Sequence, residues 1–296
     1  MSASQRTGRS IALRVTLRVA KWLAVIVAAV FCIVLVAAAY VYIASDRILD
    51  RTYEVPATVI AVPDDSASIA RGRKLAALRG CTGCHGRQAE GQLFIDEPMI
   101  ARITAPNLTR VVRETSDADL ERIIRHGVYP DGRSVLAMPS SMFYPVSDEE
   151  LGATIAFLRS LPLSDGPGPE TKVGPLGRLG LVLGQFTPQA AQIEHDAKRA
   201  TVNRADTVSY GRYIATTVCT ECHGMDFGGS PDGATPDLAV ATTYSLSDFR
   251  HLMRTGEAFG GRELGLMAEV ASGRFSLLDD DEVSALHAFL VARVGH

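Results

Sequence analysis

Cys81-Thr82-Gly83-Cys84-His85 lies in the first half of the chain, and Cys219-Thr220-Glu221-Cys222-His223 repeats its pattern in the second half. Cys-x-x-Cys-His is the attachment signature of a c-type haem. Two thiols one helical turn apart add to two vinyl groups on one porphyrin edge. The His that follows them faces the iron. Two copies in matching surroundings make accident negligible. The rival uses of paired Cys fit less well. A zinc ribbon keeps its halves close in sequence, whereas here a long stretch separates them and a His follows both. A thioredoxin-like motif needs a βαβ context, and the flanks give none. Cys81, Cys84 and His85, with Cys219, Cys222 and His223, are therefore the candidate residues for two covalently attached haems c and their irons.

Outward from these motifs, the chain has 296 residues and a net charge of −3. That length suits about two domains, and the charge gives no reason to expect nucleic acid. The motifs use four of the five Cys; Cys32 lies in an apolar run and reads as a small hydrophobe. Residues 1–21 carry Arg6, Arg9, Arg14, Arg18 and Lys21 and no acid. Residues 22–44 are uncharged and nearly all apolar. As a helix they reach roughly 34 Å, enough to span a bilayer once. The basic flank keeps the N-terminus in the cytoplasm and sends the rest across the membrane. A cleaved signal peptide is the rival reading, with Ala37-Ala38-Ala39 as a cleavage site, but the apolar run exceeds the usual signal core. Residues 45–68, with Pro56 and Pro63, read as an extended linker that lifts the next unit off the lipid.

The two remaining units repeat each other. Residues 69–163 form the first and residues 206–296 the second. Arg71-Gly72-Arg73 leads into one motif and Tyr210-Gly211-Arg212 into the other. Ala105-Pro106-Asn107-Leu108 matches Thr235-Pro236-Asp237-Leu238, and Arg125-His126-Gly127 matches Arg254-Thr255-Gly256. Ser116 is a candidate N-cap for a short amphipathic helix. Ser147, with Glu150 at the capping-box position, opens a last helix, as Asp280-Asp281-Glu282 does in the second unit. Residues 164–205 read as a Gly/Pro-punctuated linker whose latter part is partly helical. No run alternates convincingly at period 2, so the expected class is all-α with incidental strand.

On these residues each unit resembles a class I cytochrome c, over essentially everything after Ile69. The resemblance implies that first and last helices cross at Gly72 against Phe157 and at Gly211 against Phe289. The first unit also resembles the cytochrome subunits of membrane-bound alcohol and sugar-acid dehydrogenases, through Ala105-Pro106-Asn107-Leu108-Thr109, Arg125-His126-Gly127-Val128, Asp131-Gly132-Arg133 and Ala137-Met138-Pro139. Those subunits usually carry three haems, and two motifs stand here. The family places a Met ligand between the middle and last helices. Met138 fits in the first unit, with Met142 as the alternative, and Met267 fits in the second. Met99 comes too early, Met225 sits too close to its motif, and Met253 reads as core. In the family a Pro carbonyl orients the ligating His, and Pro106 and Pro236 match. Arg125 and Arg254 read as solvated helix-face residues or as partners of a haem propionate. His126, His195, His251, His287 and His296 are not expected to bind iron.

The function these features imply is single-electron transfer by a dihaem cytochrome anchored in a bacterial cytoplasmic membrane, with its haem domains on the periplasmic side. Its partners would be redox proteins or a membrane complex. The alternatives are the dihaem subunit of a haem–copper oxidase, or an enzyme such as a dihaem peroxidase. The former usually has a Trp-rich N-terminal segment, and Trp22 is the chain's only Trp. The latter needs an open iron, against which two well-placed Met residues argue.

Overall fold

The computed structural model describes residues 3–56, 58–168, 170–199 and 201–295, with the backbone alone for 3–15. The side chains of Arg6, Arg9 and Arg14, and all of His296, thus lie outside the described residues. Helix α1 runs unbroken over Ala3–Leu49. From Thr16 to Leu49 it is long and apolar enough to cross a membrane, with a mean hydropathy of 2.9 and no protein covering its apolar window. Helix persists to Leu49, beyond the end of the apolar run.

The first haem-motif unit is α2 (Ser66–Leu78), the one-turn α3 (Cys81–Cys84), α4 (Leu108–Glu114), α5 (Asp117–His126), α6 (Ser140–Phe143) and α7 (Asp148–Ser160). Each longer helix starts where a short polar side chain satisfies free backbone N–H groups: Asp65, Asn107, Ser116 and Ser147. Gly127, at φ 62°, ends α5 in the left-handed conformation that a Cβ disfavours. Strands β1 (Gln92–Glu97) and β2 (Ala101–Ala105) form a hairpin between α3 and α4. The second unit repeats the helices alone: α9 (Thr207–Val218), α10 (Thr220–His223), α11 (Leu246–Thr255), α12 (Leu266–Gly273) and α13 (Asp280–Ala292).

In both units the first and last helices cross, α2 on α7 and α9 on α13. A Cβ on Gly72 would land on the Ala153 carbonyl oxygen and crowd Phe157; one on Gly211 would land on the Ala285 carbonyl oxygen and crowd Phe289. Around each crossing lies a separate apolar core, with Val112, Leu120, Ile155 and Leu158 in the first and Ile214, Leu252, Val283 and Leu286 in the second.

Both expected linkers are folded onto the first unit. In the stretch read as a free tether, Ile60 is buried in the first core and Val55 packs with Val128 and Ala190. Burying such a side chain gains about 1.5–3 kcal/mol, which a solvated spacer would forgo. The tether therefore clamps the unit to the end of α1 instead of lifting it away. The second expected linker supplies β3 (Glu170–Val173), which pairs antiparallel with β2 from Ala101↔Val173 to Thr104↔Glu170. It also supplies α8 (Pro175–Val182), packed along the end of α1. Among the described residues the three strands are short in a mostly helical chain.

Candidate functional site

Both haem motifs are built alike. Gly80 turns the chain left-handed (φ 76°) after α2, and α3 then places Cys81 and Cys84 on one turn, closed by His85 N–H donating to the Cys81 carbonyl at 2.9 Å. In the second unit His223 N–H donates to the Cys219 carbonyl at 3.0 Å. Each ring is buried and held from behind. His85 Nδ1 donates to the Pro106 carbonyl at 2.8 Å, and His223 Nδ1 to the Pro236 carbonyl at 2.9 Å. A carbonyl only accepts, so Nδ1 carries the proton and Nε2 keeps the lone pair a metal needs. Burial lowers both imidazole pKa values, against the pull of the Pro carbonyls, and so favours the neutral ring. Burial pushes the Cys81 thiol up to about 11 and the Cys219 thiol up to about 12.

The loop after each His is closed by a device that the sequence reading missed. Gly91 N–H donates to the His85 carbonyl at 2.7 Å, and Gly229 N–H to the His223 carbonyl at 2.9 Å. Both glycines are left-handed, and a Cβ on either would strike the backbone that bears the Pro. Two residues earlier in each loop stand Ala89 (φ 60°) and Phe227 (φ 63°), the two non-glycine residues at positive φ among those described. Such backbone strain persists only where the surroundings impose it. The signal was present in sequence: each Gly stands at the same distance from its His.

The candidate Met ligands separate by burial. Met138 and Met267 are half-buried on the rims of their cores, against which Cys81 and Cys219 also pack. Met142, the alternative, is 1% exposed inside the first core, and Met253 is equally enclosed in the second. Met225 is exposed. Met138 precedes α6, whereas Met267 lies in the first turn of α12.

This donor set fits a c-type haem. Each unit offers two thiols, a His whose Nε2 is left free by its orienting bond, and a half-buried thioether on the same core's rim. A zinc site formed from both Cys pairs would need them together. Among the described residues no three of His, Cys, Asp and Glu gather into a metal-sized cluster.

Neither reading of the arginines holds for Arg125. It is wholly buried, donating to Glu121 at 2.9 Å, the Val146 carbonyl at 2.6 Å and Asp148 at 2.6 Å. Arg254 is 34% exposed and donates to the Ser276 carbonyl at 2.5 Å and Asp280 at 3.0 Å. Both brace the middle helix against the start of the last one. His126 meets His195, Nδ1 to Nδ1 at 2.9 Å. Burial, with the neighbouring His195, Arg199 and Arg125, pulls His126 down to about 4.

The sequence reading also missed how the units join. Glu150 does not fold back to complete a capping box on α7; it accepts from Tyr213 Oη of the other unit at 2.6 Å, from Arg204 at 3.1 Å, and from Arg79 and Arg71. Burial pushes this carboxyl up, but Arg79, Tyr213 and Arg71 outweigh it and hold the pKa below the ordinary value. The equivalent Glu282 does complete a capping box with Asp279, and also accepts from Lys74 of the first unit at 2.8 Å and from Tyr210 at 3.2 Å. Lys74 and Tyr213 are equivalent positions, as are Arg71 and Tyr210. The joint is therefore self-complementary, as in a two-fold dimer. Leu78 is inserted in the second unit's core, and Arg274 donates to the Leu78 carbonyl at 2.9 Å and pairs with Glu221 at 3.4 Å.

Paired thiols, an oriented His and a thioether, repeated around crossed helices, define a carrier of covalent haem. The chain belongs to the cytochrome c family, whose model, described as "Cytochrome c", matches residues 69–162 and 208–293. It is 25% identical over 253 residues to the fructose dehydrogenase cytochrome subunit of Gluconobacter japonicus, covering 75% of this chain and 52% of that protein. It is 25% identical over 277 residues to the gluconate 2-dehydrogenase cytochrome c subunit of Pantoea cypripedii, covering 78% and 61%. It is 24% identical over 269 residues to the cytochrome c subunit of the quinone alcohol dehydrogenase of Gluconacetobacter polyoxogenes, covering 77% and 56%. The chain thus spans between half and two thirds of the length of these relatives. All three relatives are cytochrome subunits of dehydrogenases by name.

Proposed function

We propose that this chain is a membrane-anchored dihaem cytochrome c that takes single electrons from a dehydrogenase and passes them to a respiratory acceptor on the periplasmic side of a bacterial cytoplasmic membrane. The observation that carries this reading is the matched pair of His–Pro contacts, made on the same backbone scaffold in both units. When bound, haem c supplies an iron that shuttles between the ferric and ferrous states. The chain does the rest. Cys81 and Cys84 in one unit, and Cys219 and Cys222 in the other, would hold the porphyrin. His85 and His223, fixed by Pro106 and Pro236, would offer Nε2 to the iron. Met138 and Met267 would supply a thioether to it, which favours transfer over ligand chemistry. Helix α1 holds both units at the bilayer, and the relatives' names support a dehydrogenase as the partner.

The test is a count and a spectrum on the full chain purified from membranes. Two covalent haems should survive denaturation and acid–acetone extraction. The double variants Cys81→Ala/Cys84→Ala and Cys219→Ala/Cys222→Ala should each leave one. The ferric protein should show the weak near-infrared absorption of Met–iron coordination, scaled to two haems. A single haem, or a high-spin haem that binds carbon monoxide or reacts with peroxide, would overturn the carrier reading for that unit.

A further inference from the structure

Between Pro175 and Ile193 the sequence holds one charged residue, Arg178. Arg178 is already engaged with the outer end of α1. Its guanidinium donates to Ser45 Oγ at 2.8 Å and Asp46 Oδ1 at 2.6 Å, and lies 4.7 Å over the Tyr42 ring. Val41, Ala44, Ser45 and Ile48, one face of α1 by helical spacing, lose exposure at this level, where α8 packs against it. Helix α8 is therefore fixed in height at the point where the apolar run ends. Tyr40 and Tyr42 stand there with their rings exposed, and tyrosines of this kind collect at the membrane–water boundary.

The outer surface of this segment is apolar and uncovered. Leu176, Leu179, Leu183 and Phe186 are exposed by 38–63%. Beside them lies the β1–β2 turn, tied to the start of α8 by Leu176 N–H donating to the Met99 carbonyl at 2.8 Å and Gly174 N–H to the Ile100 carbonyl at 2.9 Å. Met99 and Ile100 are also about half exposed. Six large apolar side chains thus share one region, with the lone cation turned inward onto α1. Contiguous apolar surface of this kind marks a binding face. The occupant follows from continuity with α1: a surface fixed at headgroup height beside a membrane helix meets lipid.

We infer that α8 and the β1–β2 turn form a second membrane contact, a foot whose leucines enter the interfacial region of the same bilayer that α1 spans. This rests on the anchor reading proposed above. The foot fixes the tilt of the first haem unit, because a single helix leaves the unit free to rock and two contacts do not. Short apolar segments bind in the headgroup–acyl boundary in this way.

The full-length protein in native membranes tests this with a photoreactive side chain. Leu183→p-benzoylphenylalanine sits at an exposed position where folding is not at stake, and Val34→p-benzoylphenylalanine reports on the span itself. On irradiation both should yield phospholipid adducts by mass. Lipid at position 34 with a protein adduct or no adduct at 183 would overturn the foot while leaving the anchor standing. No lipid at position 34 would overturn the anchor reading, and the foot with it. As a second readout, Leu179→Glu/Leu183→Glu should leave the haem count unchanged and increase the angular mobility of the first unit, read by polarised fluorescence in nanodiscs. Unchanged mobility would count against the foot.

Discussion

The two units treat one arginine in two ways. Arg125 is sealed inside the first unit against Glu121, Asp148 and the Val146 carbonyl, whereas Arg254 makes the corresponding brace at the surface of the second. The cause is company. The tether, α8 and the segment carrying His195 and Arg199 are all packed on the first unit, and they bury groups that the second leaves wet. Features that match across the repeat build the shared scaffold: Gly72 and Gly211 at the crossings, Pro106 and Pro236 behind the His rings, Gly91 and Gly229 against the Pro-bearing backbone. Features that differ serve the unit's surroundings. The first is the half packed beside the apolar helix α1, and the second is the less covered one.

The shared crossing gives a large effect in both units. Gly72→Ala and Gly211→Ala each drive a Cβ into a carbonyl oxygen with no flexible neighbour to yield. Each should cost about 3 kcal/mol, at the upper end for overpacking, and unfold its own unit first in calorimetry. A mild effect at one site alone would mean that the crossings are not equivalent.

The arginines should separate the units next. Arg125→Met strands the buried Glu121 carboxylate with Arg199 at 3.6 Å and the His126 ring at 3.9 Å, and breaking a buried pair costs about 3–5 kcal/mol. Arg254→Met removes a half-wet brace worth about 1 kcal/mol. Chemical denaturation of the two variants should show this gap, and equal losses would refute the burial argument.

Acid should act on the first unit more than on the second. His126 has a folded pKa of about 4, and an unfolded His titrates near 6.5. Below pH about 6.5 the unfolded state therefore binds a proton that the folded state refuses. Stability is fully present above that pH and is lost progressively down to about 4. His195 is shifted in the same direction, by burial. The second unit has Thr255 at the matching position. A first-unit melting temperature that falls between pH 7 and 5, and does so less in His126→Gln, is the expected result.

The smallest effect belongs to the joint. Tyr213→Phe removes the hydroxyl that donates to Glu150 and accepts from Ser147 N–H at 3.2 Å, while three arginines still serve the carboxylate. The loss should be about 1 kcal/mol, seen as reduced coupling between the two melting transitions. Unchanged coupling would show that the arginines and Leu78 hold the joint alone.

Much of the fold was legible because the repeat states it twice. The motifs and the caps at Ser116 and Ser147 are local patterns, and the Gly–Phe crossings followed from the resemblance to class I cytochromes c. The Met candidates came as positions from the same resemblance, and the structure adds that Met142 lies inside the first core and Met138 on its rim. What stayed hidden depended on distant partners. Val55 and Ile60 look like linker residues until Val128 and the first core supply the surface that buries them. β3 is four residues long, too short for its alternation to register, and exists because β2 offers an edge. Glu150 has the spacing of a capping box, and only the presence of Arg79 and Tyr213 draws it away. The environment of Arg125 could not be read from a helix whose covering segment lies far along the chain.

Leu78 belongs by sequence to one unit and by packing to the core of the other. A joint of that kind cannot swing without opening a core. Hinged proteins spend microseconds to milliseconds on each domain rotation, and a carrier built that way would have to wait for its halves to meet. In this chain the halves are already met. On the proposed carrier reading, no domain rotation would stand between one unit and the other.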